Sequence, residues 1–164
     1  MGDYDEAMEI YTPVLKQAED FGDVYGMGII LNNIGLVYYS KGGYDKPLEY
    51  YSRSLEIAEE LGDKFGMGSS LNNIGLVHAT RGDYDKALDY YVRSLAIQEE
   101  LGDKRGMGII LSNIGIVHVN RGDSGKALEH LEKSLTIQKE IGLGANYLIS
   151  VSYTHLTLPT NGEV

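Results

Sequence analysis

The sequence repeats itself with a period of 40 residues, and no other feature restricts its fold as tightly. Gly22-Asp23, Gly62-Asp63 and Gly102-Asp103 mark one punctuation point of the repeat; Gly42, Gly82 and Gly122 mark another. Segment 61–83, LGDKFGMGSSLNNIGLVHATRGD, matches segment 101–123, LGDKRGMGIILSNIGIVHVNRGD, at 16 of 23 positions. A unit this short cannot bury its own apolar face, so successive units must stack and share a core.

Each unit holds two helical patterns. Met67, Leu71, Ile74 and His78 recur at spacings of four, three and four, which is one face of a helix. Asp63 stands at the N-cap position, and Arg81-Gly82 supplies a basic last turn and a glycine free to take positive φ. Ala87, Leu88, Tyr91, Leu95 and Gln98 then follow Asp83, a second cap, until Leu101-Gly102 stops them. The spacing predicts A helices over 24–40, 64–80 and 104–120, and B helices over 44–61, 84–101 and 124–141. One more B-type pattern, Tyr4 to Asp20, precedes them without an A partner.

The run NIGLVHATRGDYDKALDYYVRSLAI, Asn73–Ile97, resembles the tetratricopeptide repeat in a long-period variety joined by a GDK-type turn. Leu71, Ile74-Gly75, His78, Gly82, Tyr84, Ala87, Tyr91 and Ser94 carry the resemblance. The pattern returns as Leu31, Ile34-Gly35, Tyr38, Gly42, Tyr44, Tyr51 and Ser54. It returns again as Leu111, Ile114-Gly115, His118, Gly122, Ala127, Leu131 and Ser134, so that residues 2–141 are covered. The resemblance implies an all-α fold, a right-handed α-solenoid of antiparallel helix pairs. On that division 1–23 is a partial repeat with helix B alone, and 24–63, 64–103 and 104–141 are repeats. Residues 142–150 open a fourth A helix, and 151–164 are a non-native or disordered tail resembling translated sequencing-adapter DNA. The unpaired B pattern and this tail together lead to the expectation that the chain is a fragment of a longer repeat protein.

Three local departures modify the pattern. Pro47 stands where the other units have Ala87 and Ala127, early enough in its helix to lose little hydrogen bonding. Pro13 lies deep in the first B pattern, where it should kink the helix at about 3 kcal/mol. Ser124 and Leu131 replace Tyr84 and Tyr91, which should weaken packing in the third unit. Two glycines in each first turn, Gly66 and Gly68 around Met67, should let the A helices fray at their starts.

Composition excludes several function classes. With 43% hydrophobic residues the chain is not of a disordered composition. It has no cysteine, and no apolar run or leader that would place it in or across a membrane. Its net charge of −10 repels phosphate backbones, so neither nucleic acid nor membrane is expected as a partner, and the cytoplasm is the expected location. The glycine-rich GMG and GLGA stretches follow no strand and lead into no phosphate-loop lysine. His78 and His118, one repeat apart on the core stripe, read as packed aromatics, with His130 a lone surface histidine. Neither a metal site, a cofactor site nor a catalytic constellation is expected.

A helical projection sorts the recurring LNNIG segment, Leu31–Gly35 and its copies. Leu31, Ile34, Gly35 and Tyr38 share one side, and Ile29, Asn32, Leu36 and Tyr39 lie about 120° round. By resemblance the first side meets helix B and the second lines the concave wall. Asn33, Asn73 and Asn113 then read as structural, and Asn32, Asn72 and Ser112 as groove residues. The mid-helix glycines Gly35, Gly75 and Gly115 are expected to permit close approach of helix B near Ala87 or Ala127. The expected partner-binding face comprises Ile29, Asn32, Leu36, Tyr39 and Ser40 in the first unit. It continues as Ser69, Asn72, Leu76, Ala79 and Thr80, then as Ile109, Ser112, Ile116, Val119 and Asn120. It carries no lysine or arginine, which suits amide and apolar contacts with an extended or helical segment rather than a carboxylate clamp. The resemblance implies a non-catalytic module binding a protein or peptide. Its alternative is a sensory, scaffold or oligomerising segment of a bacterial signalling protein such as a histidine kinase, cyclase or transcription regulator. Self-association is expected to use the first B pattern's apolar face, Ala7, Met8, Tyr11 and Leu15.

Overall fold

The computed structural model describes residues 2–142, and within them every regular element is a helix. They are α1 (Gly2–Phe21), α2 (Val24–Ser40), α3 (Asp45–Leu61), α4 (Lys64–Arg81), α5 (Tyr84–Leu101), α6 (Lys104–Arg121) and α7 (Ser124–Glu140). Helices α2, α4 and α6 are the expected A helices, and α1, α3, α5 and α7 the B helices. The proposed fourth A helix, apart from Gly142, and the 151–164 tail lie outside the described residues.

The turns are built as the Gly-Asp punctuation requires. Gly62, with φ of 66°, donates its N–H to Glu59 O, and Asp63 donates to Ala58 O at 2.8 Å. This pair of bonds is the Schellman arrangement, which satisfies the last carbonyls of a helix and needs a left-handed residue. The same arrangement closes α4, where Gly82 has φ of 86° and Asp83 N–H donates to His78 O. Asp23 and Asp103 then cap the next helix, accepting from Gly26 N and Gly106 N at 2.9 and 3.1 Å. Asp83 and Asp123 hold the N-cap position without a side-chain cap bond. Their carboxylates turn back to His78 and Arg81, and to His118 and Arg121, because those groups of the preceding helix lie within 3.4–3.8 Å.

Consecutive helices pack in order along the chain, and successive A helices also touch, α2 with α4 and α4 with α6. Successive B helices make no comparable contact among the described residues, so the array bends toward its A-helix side. The core runs through the joints. Tyr51 of α3 packs with Ile74 and Val77 of α4, and Ala87 and Tyr91 of α5 pack with Ile110, Ile114 and Val117 of α6. Burial raises the hydroxyl pKa of Tyr51 and Tyr91, with Tyr39 nearby adding to the effect.

The mid-helix glycines admit helix B as expected, with the Ala87 and Ala127 carbonyls close by, and the tightest contacts come from the Tyr51, Tyr91 and Leu131 side chains. A Cβ at Gly75 would lie 2.8 Å from Tyr91 Cδ1, with Ala87 O next at 3.3 Å; at Gly35 it would lie 2.6 Å from Tyr51 Cε1. Leu131 fills the same place over Gly115, but is half-buried where Tyr91 is fully buried. The A-helix starts are also tied more firmly than two glycines suggest. Ser54, Ser94 and Ser134 each donate a buried hydrogen bond to the carbonyl of Gly28, Gly68 and Gly108 at 2.7–2.8 Å. These glycines admit helix B, whose serine pins the first turn that was expected to fray. Pro13 lies on an exposed side of α1, which continues through it.

Candidate functional site

The A helices present one long face, and the repeat decides what appears on it. Positions four, seven and eleven residues apart lie along one side of a helix. A 40-residue period sets each such row beside the corresponding row of the next unit. The expected face divides by what it touches. Ile29, Leu36, Ile109 and Val119 are 40–51% exposed, and Ser40, Thr80 and Asn120 are exposed as well. Leu76 and Ile116 are half-buried. Tyr39 and Ala79 pack against the two core clusters, and Tyr39 hydroxyl meets Thr80 Oγ1 at 2.9 Å. These two are joints of the scaffold more than free surface.

The paired asparagines form a ladder across the units. Asn73 Nδ2 donates to Asn32 Oδ1 at 3.1 Å, and Asn113 Nδ2 donates to Asn72 Oδ1 at 3.0 Å. Asn32 Nδ2 reaches Ser69 Oγ at 3.4 Å. The two amides of LNNIG therefore do one job together: the second of each unit reaches back to the first of the preceding unit. Sequence separated them into one fitting and one contact residue, because a single helix projection cannot show that positions 41 apart meet. Asn32 and Asn72 remain half-buried, so a ligand at these amides would share their hydrogen bonds with the ladder. Ser112, in the same register, turns inward to Ser134 Oγ at 2.8 Å.

Between the first two units this face opens into a groove of about 220 Å³. Ile29, Asn32 and Ser69 line it, as the stripe predicts, together with Tyr25, Leu61 and Phe65, which the stripe omitted. Tyr25 and Phe65 are 55% and 65% exposed. Extending the stripe one turn toward the helix start finds them, since 25, 29, 32, 36 and 65, 69, 72, 76 each follow one helix face. The floor is made by Gly28, Ser54, Ile57, Ala58 and Ser70.

The remaining sequence candidates belong to the scaffold. His78 stacks on Tyr90 at 5.5 Å and His118 on His130 at 5.4 Å, both repeating the Tyr38–Tyr50 stack of the first unit. His130, expected to stand alone, is thus the B-helix half of that stack. The α1 face of Ala7, Met8, Tyr11 and Leu15, expected to lack a partner, is half-buried, and α1 packs on α2 with Tyr4 hydroxyl donating to Ser40 O at 2.8 Å. The apolar residues left exposed on α1 are Ile10, Val14 and Phe21. Among the described residues no helix is long and apolar enough to cross a membrane.

Helix pairs repeated in register, with cores at the α3–α4 and α5–α6 joints and the A helices along one side, define an α-solenoid scaffold. The chain belongs to the tetratricopeptide repeat family, whose model matches residues 1–60 and 66–140. Its sequence matches none of the curated proteins with which it was compared. Among solved structures it is similar to BtubC (BKLC) from P. vanneervenii, at 25% identity and a TM-score of 0.77, over 86% of this chain and 59% of that one. It is also similar to a signal transduction ATPase with numerous domains that carries a tetratricopeptide repeat sensor, from Pyrococcus horikoshii. There the identity is 22% and the TM-score 0.72, over 90% of this chain and 22% of that one. Aspartyl phosphate phosphatase F from Bacillus subtilis matches at 18% identity and a TM-score of 0.65, over 93% of this chain and 45% of that one. The chain thus spans less than two thirds of each of these proteins.

Proposed function

We infer that the chain is a non-catalytic, cytoplasmic interaction module that holds a protein or peptide segment along its A-helix face. The observation that carries this reading is the pair of exposed apolar patches, Ile29 and Leu36 on α2 and Ile109 and Val119 on α6, which flank α4 beside half-occupied amides. Apolar residues held out on a rigid, curved wall favour association, and the amides suit a partner's backbone. These patches bear no cation, which favours apolar and amide recognition over capture of a carboxylate.

The test selects binders to the immobilised full chain from a library of random 12-residue peptides. Leu36→Glu and Val119→Glu, both at exposed positions, should abolish capture while leaving the circular dichroism unchanged. Equal capture by these variants moves the interface off the A-helix face. The second reading is a sensory or scaffold segment within a larger signalling protein. It is favoured by the archaeal ATPase, in which a tetratricopeptide array forms the sensor of a much longer chain.

A further inference from the structure

The groove between the first two units stands on an acidic edge. It sits where the ends of α1 and α3 turn into α2 and α4. Residues 19–25 and 59–65 contain six acids, Glu19, Asp20, Asp23, Glu59, Glu60 and Asp63, against the single cation Lys64. Lys64 is already engaged by Glu100 Oε2 at 2.6 Å. Glu19, Asp20, Glu59 and Glu60 are exposed, and none of the six acids has a lysine or arginine at ion-pair distance among the described residues. At the opposite edge the acids are matched: Arg121 pairs with Asp85 at 2.7 Å, and Arg81 with Asp45 at 3.5 Å. At the groove's edge the negative charge is unmatched, and the apolar opening lies within it.

The opening is shaped for a side chain. Tyr25, Ile29, Leu61 and Phe65 surround it, each 47–65% exposed, so four large apolar groups face water around one concavity. Its volume of about 220 Å³ falls below the roughly 300–1,000 Å³ of pockets that enclose whole drug-sized ligands, and suits one anchoring group of a longer segment.

We propose that this groove seats a large apolar or aromatic side chain of a basic peptide segment, whose flanking lysines or arginines meet the acidic turns at residues 19–23 and 59–63. The proposal rests on the A-helix face being the binding face, and adds the chemistry of what binds there. Apolar burial between Phe65 and Tyr25 supplies affinity, while the six acids steer the segment and reject acidic competitors. Lysines and arginines of such a segment lose little hydration, since the acids stay at the solvent edge.

The peptides selected from the random library test it directly. They should be enriched in lysine and arginine around a phenylalanine, tryptophan, leucine or methionine. Phe65→Ser should weaken them at least about tenfold, because one buried aromatic side chain is at stake. Asp20→Lys combined with Glu60→Lys should weaken them similarly at low salt, and raising salt from about 0.05 to about 0.5 M should remove that difference. All three substitutions are at exposed positions, so the fold is not in question. Selected peptides that are acidic, that lack an apolar anchor, or that bind Phe65→Ser as well as the parent would overturn the proposal. If such peptides are nonetheless lost in Leu36→Glu, the A-helix face stands and only the groove's assignment falls. A library that yields no binder overturns both.

Discussion

Replacing Gly75 by alanine sets two effects of known sign against each other. Alanine in a helix interior is better than glycine by about 0.5–1 kcal/mol. The added Cβ, however, would stand 2.8 Å from two carbons of the Tyr91 ring and 3.3 Å from Ala87 O. Carbon atoms at rest are about 3.5–4.0 Å apart, so the ring has to retreat by the better part of an ångström. Tyr91 is 1% exposed and enclosed by Ala87, Ile110 and Ile114, so it has nowhere to go. Overpacking a closed site costs about 1–3 kcal/mol, which offsets the helix gain and leaves a net loss of up to about 2.5 kcal/mol. For a chain of this length that lowers the midpoint of thermal unfolding by up to about 10 °C. Gly125 is the internal control: it lies in the first turn of α7 with nothing within 4 Å of an added Cβ. Gly125→Ala should therefore raise the midpoint slightly. Both variants, measured by circular dichroism in the same buffer, share the helix term, so their difference isolates packing. In a Tyr91→Ala background most of the penalty at Gly75 should vanish, because the ring atoms are gone and only the 3.3 Å contact with Ala87 O remains. A Gly75→Ala chain as stable as Gly125→Ala would refute the account of this glycine as a seat for the Tyr91 ring.

Further substitutions probe other joints. Ser94→Ala removes the 2.7 Å buried bond to Gly68 O, which keeps only its acceptor role within α4, so chemical denaturation should show a loss of about 0.5–1.5 kcal/mol, with no loss for the exposed Ser52→Ala. Asn72→Ala orphans Asn113 Nδ2 and breaks one rung of the ladder. Hydrogen exchange should then show α6 opening separately from α4, whereas uniform protection would deny the ladder its coupling role. Lys64→Ala breaks an ion pair whose members are both more than half exposed, and should change stability by less than about 1 kcal/mol in a urea melt. Tyr51 and Tyr91 have hydroxyl pKa values raised above the ordinary value of about 10, first by burial and then by Tyr39. Their neutral forms thus favour the fold: the contribution is full below about pH 10 and is lost as pH rises through their raised native values. Alkaline titration at the tyrosinate absorbance should show the two ionising only with unfolding, and the Tyr51→Phe/Tyr91→Phe pair should flatten the fall in stability above about pH 10.

How far the sequence reaches can be read residue by residue. Gly62-Asp63 and Gly82-Asp83 set helix ends to within a residue or so, because a left-handed glycine and its carbonyl bonds are local chemistry. The 3.6-residue stripes assign Leu71, Ile74 and His78 to the buried side for the same reason. The 40-residue period then makes the solenoid the consistent way to bury those stripes. Contacts between helices are different, since they depend on the offset and spacing of neighbouring units. A projection of one helix has no coordinate for that offset. It therefore separated Asn72 from Asn73, although Asn73 bonds back to Asn32 and Asn72 receives Asn113. It found helix B close to the mid-helix glycines but not the Tyr51 and Tyr91 rings that press on them, and read His130 as solitary although it stacks on His118. It also stopped the exposed face one turn short of Tyr25 and Phe65. Period and punctuation are properties of the chain itself. The ladder, the glycine seats and the acidic groove exist only where two helices meet, at distances set by the packing of every side chain between them.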